Sequence, residues 1–153
     1  MSISKINGET IIAAFGGGYS LRGTLSNTAF NPSGGTTYYG GGAASLAATT
    51  SVDTRKLYIP KSGTIKSCYG YFNQTAAATG ATGSLNIRLN NTTDYLVGTT
   101  AHNSNHSVYG STSLNNGSGI SVTQGNYIEF KWTCPTGVTG PSAMTSSFIV
   151  YVE

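Results

Sequence analysis

The chain has 153 residues, only 8% of them charged, with 21 glycines and a formal net charge of +3; ordinary soluble proteins carry roughly 25% charged residues. That length suits one domain with a real core, and so thin and scattered a positive charge, without a run of basic residues, excludes an electrostatic nucleic-acid binder. Little like-charge repulsion keeps copies apart, which favours permanent association.

Taken in chain order, Met1-Ser2-Ile3-Ser4-Lys5-Ile6-Asn7-Gly8 lacks the apolar core of a secretory signal, and no later stretch approaches the roughly 18 apolar residues of a membrane span. The expectation is no membrane span and no general secretory export; a virion component released by lysis needs neither. Glu9-Thr10-Ile11-Ile12-Ala13-Ala14-Phe15 reads as a short apolar strand stopping at Gly16-Gly17-Gly18. From 16 to 50 the chain is rich in Gly, Ser, Thr and Ala, with a turn signal at Asn31-Pro32-Ser33-Gly34-Gly35. Such a segment builds little core. Residues 1–50 are therefore expected to be an extended arm, with Glu9 to Phe15 as its assembly strand, and residues 51–153 to be the packed domain.

Strands then follow at short intervals. Residues 56–59 end at Pro60, and residues 64–73 carry Ile65, Tyr69, Tyr71 and Phe72. Residues 84–90 alternate cleanly, Leu85, Ile87 and Leu89 inward against Asn86 and Arg88 outward. Residues 94–99, 107–114 and 119–123 are shorter candidates. With no helical period anywhere, the class is all-β, a jelly-roll sandwich.

Two stretches organise the set. In Gly125-Asn126-Tyr127-Ile128-Glu129-Phe130-Lys131-Trp132, the apolar Ile128, Phe130 and Trp132 alternate with polar neighbours and belong to the core. In Phe148-Ile149-Val150-Tyr151-Val152-Glu153, Phe148 and Val150 take the core face while Ile149 and Tyr151 make the other face apolar too. A strand apolar on both sides must be covered twice, by its own core and by another layer or subunit.

The Gly125 to Trp132 stretch, followed by Pro135 and the Phe148-Ile149-Val150-Tyr151 terminus, resembles the last two strands of the tumour necrosis factor and complement globular-head jelly rolls. It is closer still to bacterial and phage versions of that domain, which carry a similar G-D-x-I-E-I-K-W strand. Ile59-Pro60-Lys61-Ser62-Gly63-Thr64-Ile65-Lys66 is likewise similar to their early strand. The resemblance covers residues 52–153; Asn126 stands where those domains have an acidic residue, and nothing before residue 50 matches. It implies a trimer formed through a hydrophobic face and a structural or receptor-binding role.

Candidate chemistry is sparse. His102 and His106 have a metal-compatible spacing, but Asn103-Ser104-Asn105 makes the segment a loop without a third ligand, so solvated loop is the reading. The acids Glu9, Asp53, Asp94, Glu129 and Glu153 do not pair in sequence, and no nucleophile elbow or phosphate loop exists. No enzyme, metal or cofactor is expected. Cys68 and Cys134 leave two readings open: a disulfide contributing about 2–4 kcal/mol in an oxidising compartment, or two buried thiols acting as small hydrophobes. Asn73, Asn90, Asn91, Asn105 and Asn116 each head an N-x-Ser/Thr triplet, where surface glycans would be tolerated.

Ten tyrosines in so uncharged a chain point to interfaces. Tyr38, Tyr39, Tyr95, Tyr109 and Tyr151, with Ile149, are the expected subunit seam. The first expectation is a non-enzymatic structural protein whose partner is itself, assembling into an extracellular filament or virion-surface fibre. The alternative is a trimeric phage receptor-binding head with a Tyr- and Asn-lined glycan pocket in the loops at residues 91–117; a hydrolase comes a distant third.

Overall fold

The computed structural model describes residues 17–26, 28–42, 48–75, 82–136 and 141–153. The expected assembly strand from Glu9 to Phe15 lies outside them. Among the described residues ten strands form two antiparallel sheets packed face to face as a jelly-roll sandwich. The front sheet runs β1 (Tyr19–Gly23), β10 (Thr145–Val152), β4 (Gly63–Asn73), β7 (His106–Ser111), with β8 (Ile120–Val122) also paired to β4. The back sheet runs β2 (Thr37–Gly40), β9 (Tyr127–Thr133), β5 (Thr82–Leu89), β6 (Thr93–Ala101), with β3 (Leu57–Tyr58) also on β9.

The division at residue 50 is corrected by these pairings. Tyr19–Gly23 runs antiparallel along Phe148 to Val152, and Thr37–Gly40 along Phe130 to Thr133. Residues 17–42 thus supply an edge strand to each sheet, and Leu25 and Tyr38 are buried in the core. Small residues hid this, because the close approach itself requires them. A Cβ on Gly40 would lie 2.5 Å from the Thr24 carbonyl oxygen, and one on Gly41 1.5 Å from that of Arg55.

Between the sheets, Phe130 stacks on Phe148 with ring centroids 4.4 Å apart, and Phe72 contacts Trp132, Tyr109 and Phe148 at 5.1 to 5.5 Å. Ile128 and Val150 are also fully buried. A β-bulge in β4 decides what else lies inside. Tyr151 pairs with Ser67 but Val152 with Ile65, so Lys66 is an extra residue. Strict alternation from Ile65 would turn Tyr69 and Tyr71 inward. The bulge instead buries Cys68, Gly70 and Phe72 and sends Tyr69 and Tyr71 out.

His102 is no solvated loop residue: it is 0% exposed, in a closed chain of hydrogen bonds. Trp132 Nε1–H donates to the Tyr109 hydroxyl at 2.9 Å, leaving that hydroxyl's proton for His102 Nε2 at 2.7 Å. Nδ1–H therefore donates to Gln74 Oε1 at 2.8 Å, and the Gln74 amide donates to the His102 and Ser104 carbonyls. Every polar group in the chain is matched with the imidazole neutral. Burial pushes the His102 pKa down to about 4.

Candidate functional site

Among the described residues, the outer face of the front sheet leaves several large apolar side chains exposed. Register places its side chains in rows across the strands: Arg22, Ile149, Tyr69 and Gly110 in one, Ser147, Tyr71 and Val108 in the next. Tyr69 is 45% exposed, Tyr71 46% and Val108 55%, well above what large apolar side chains show within a core-facing row. A hollow of about 320 Å³ opens between them, with Arg22 as its charged wall.

Glycines set the shape of this face. A Cβ on Gly110 would stand 2.8 Å from the Tyr69 ring, and one on Gly18 would meet the Tyr151 ring at 2.5 Å. Both rings therefore lie down across the neighbouring strand instead of standing up from the sheet, as aromatic residues do over cross-strand glycines. The result is a low, broad apolar surface with hydroxyls at its margin. Tyr19 belongs to the other side of β1: it pairs with buried Val152 and packs against the core, its hydroxyl donating to the Lys61 carbonyl at 2.5 Å.

The outer face of the back sheet is built differently. Glu129 points outward from β9 yet is 0% exposed, because residues 49–56 fold over it. Its two oxygens accept the backbone N–H groups of Asp53 and Arg55, each at 2.9 Å. Beside it Asp94 accepts from Arg88 at 2.7 Å and from Lys131 at 2.5 Å. Partial burial pulls the Asp94 carboxyl upward, but Lys131 and Arg88 outweigh it and hold it below the usual carboxylate range. Asp53 is likewise held low by the Tyr127 hydroxyl, with Lys56 close by.

The residues expected to form one seam fall in four places. Tyr38 and Tyr109 are core: Tyr38 packs against Phe30 and Trp132, its hydroxyl accepting from Ser33 N–H, and Tyr109 is the hinge of the His102 network. Tyr39 pairs across from Lys131 on the covered back face, and Tyr95 lies half-buried at the β6 edge opposite Ile87. Only Ile149 and Tyr151 lie on the open front face. Tyr69, Tyr71, Val108 and Arg22 were missed. The signal available was the spacing of Cys68, Gly70 and Phe72, a second parity within the strand that conflicts with Ile65.

No disulfide joins Cys68 and Cys134. Both are free and buried, one on β4 of the front sheet and the other just beyond β9 of the back sheet. Burial pushes their thiols up to about 12 and about 11, which leaves almost no thiolate for nucleophilic chemistry. Among the described residues no three His, Cys, Asp or Glu side chains converge as metal ligands would, and no helix is long and apolar enough to cross a membrane. Of the triplet asparagines, Asn73, Asn105 and Asn116 are exposed. Asn90 instead accepts the Tyr127 N–H and Asn91 accepts from Arg88, both fixing the β5–β6 turn.

No family model matches the sequence, and no curated protein does. Solved structures that follow a similar course include a chain of infectious bursal disease virus, Gx strain, at 13% identity and TM-score 0.43 over 88% of this chain and 32% of that one. The C-terminal CBM6 of a laminarinase from Zobellia galactanivorans aligns at 10% identity and TM-score 0.40, over 88% of this chain and all (100%) of that one. The globular domain of zebrafish complement 1qA aligns at 10% identity and TM-score 0.37, over 88% and 94%. This chain spans about a third of the viral chain's length. All three neighbours are β-sandwich or jelly-roll-like folds.

Proposed function

We propose that the protein is a non-enzymatic structural subunit that assembles with copies of itself through the outer face of the front sheet, as part of an extracellular filament or a virion-surface fibre. One observation carries the reading: Tyr69, Tyr71, Val108, Ile149 and Tyr151 form a single apolar surface that no described part of the chain covers, while the opposite face is capped by residues 49–56. Exposed apolar patches of this kind mark association surfaces.

A second copy is the occupant that fits. The face pairs flat-lying tyrosine rings with Arg22, whose guanidinium can stack on a tyrosine of the neighbour. Four strands at ~4.8 Å spacing, with about six residues of each at ~3.4 Å, span on the order of 400 Å² in plan. That is about half of the ~800 Å² each partner gives to a standard interface. The sequence offers the expected assembly strand Glu9 to Phe15, which lies outside the described residues, for the remainder. The likeness of residues 125–132 to jelly-roll domains that form trimers through a hydrophobic face supports self-association. The second reading, a receptor-binding head, shares this interface and needs a ligand site elsewhere.

The test is the double variant Tyr71→Asp, Ile149→Asp, studied by light scattering after size-exclusion chromatography. The expected outcome is an oligomeric wild type and a monomeric, folded variant. A wild type that stays monomeric at high concentration, or a variant that assembles normally, ends the proposal.

A further inference from the structure

Away from the assembly face, a second hollow of about 280 Å³ lies between β6 and the 3-10 turn at Leu114–Gly117. Asp94, Tyr95 and Leu96 line it from the strand; Ser113, Asn115 and Asn116 line it from the turn. Its size sits near the lower end of small-ligand sites, about 300 Å³ and upward. We propose that this hollow binds one terminal residue of a neutral saccharide.

The chemistry of the lining selects that class. Among the described residues the Tyr95 hydroxyl, the Ser113 hydroxyl and the Asn116 side-chain amide have no hydrogen-bond partner. Together they offer both donors and acceptors without net charge, the complement of a ring bearing several hydroxyls. Leu96, 57% exposed on the outer side of β6, gives an apolar surface for the C–H face of such a ring, while Tyr95, half-buried on the other side, brings its edge to the hollow. Asp94 can accept a further hydroxyl proton, yet Arg88 and Lys131 already hold its carboxylate in place and offset its charge. A cationic ligand therefore gains little here.

The turn is also held in advance of binding. Asn115 and Asn116 both take positive φ, 50° and 56°, a conformation that asparagine tolerates better than most residues. The Asn115 amide donates to the Gly119 carbonyl at 3.0 Å, and Gly119 N–H donates to the Leu114 carbonyl at 2.9 Å. Little ordering is left to be done by the ligand. A site this small holds a single ring at about millimolar strength, and several copies in one assembly multiply it through avidity.

The site rests on the receptor-head reading and supplies it with its ligand; self-assembly is a separate claim. The full-length assembled protein is screened on an array of bacterial and animal oligosaccharides. The methyl glycoside of the strongest hit's terminal sugar is then titrated by NMR. The expected result is array binding, shifts confined to residues 94–96 and 113–116, and at least tenfold weaker binding in both Asn116→Gly and Tyr95→Phe. The glycine keeps the positive φ, so the turn survives. No binding to any saccharide by a protein that still assembles overturns both the site and the head reading. Binding that neither variant weakens overturns the site alone.

Discussion

The two sheets of this sandwich turn opposite kinds of surface outward. On the back sheet an outward carboxylate, Glu129, has vanished from solvent beneath residues 49–56, and its neighbours Arg88, Asp94 and Lys131 form a charged network. On the front sheet the outward residues include Tyr69, Tyr71, Val108, Ile149 and Tyr151, with Arg22 beside them, and no described segment covers them. The chain spent its covering loop on the polar side. In the proposed assembly it is this open face, and not the capped one, that meets the neighbouring copy.

The comparison breaks most readily at Glu129. Glu129→Ala removes the acceptor for two backbone N–H groups, so urea unfolding is expected to register a loss of about 3 kcal/mol. Tyr71→Ser on the open face should move the stability of the monomer by less than about 0.5 kcal/mol. Equal losses at the two positions would mean that the faces are not different in kind.

Acid separates fold from face nearly as strongly. The folded His102 pKa is lowered to about 4 from an ordinary 6.5, so between those values the unfolded chain binds more protons than the folded one. Stability from the neutral imidazole is complete above about pH 6.5 and declines as pH falls to about 4, by about 3 kcal/mol in all. Asp53 and Asp94, held low, stay ionised through most of that range. A His102→Gln variant whose melting temperature shows the same slope over this window would assign the acid effect to another group.

Removing residues 1–16 sharpens the comparison from the other side. Cutting at residue 20 would take Tyr19 and Ser20 out of β1, whereas cutting at 16 leaves all its pairings with β10. The shorter deletion should fold with unchanged far-UV circular dichroism and assemble at least tenfold more weakly. Unchanged oligomers on size-exclusion chromatography would remove the N-terminal residues from the interface. Two smaller effects close the series. Asp94→Asn loses two partly exposed ion pairs and should cost about 0.5–1 kcal/mol, less in high salt. Gly110→Ala should change stability by only a few tenths of a kcal/mol while lifting the Tyr69 ring off β7, visible as a shifted tyrosine resonance and weaker assembly.

Some of this was legible from residue order alone. Clean alternation in residues 84–90 and 127–132 gave strands with the right faces, because one side is apolar throughout and a slip would expose it. The doubly apolar C-terminal strand announced an outer contact, and β10 does carry Ile149 and Tyr151 on the open face. The seam around them was not legible. Tyr38, Tyr39, Tyr95 and Tyr109 have the same composition signal as Tyr69 and Tyr71, and only the face of the sheet on which each falls separates core from surface. His102 looked like loop for a related reason: Gln74, Tyr109 and Trp132, which close around it, come from three different parts of the chain.

Sequence by itself settled the class: apolar residues at period two, broken by turn residues, can bury their surface only as packed sheets. What the tertiary structure decided was which tyrosines face outward, since a single extra residue at Lys66 reverses the parity of β4. That reversal follows from pairing with β10, where Val152 and Val150 must both reach the core, and a constraint shared between strands nearly ninety residues apart leaves no mark in either one alone.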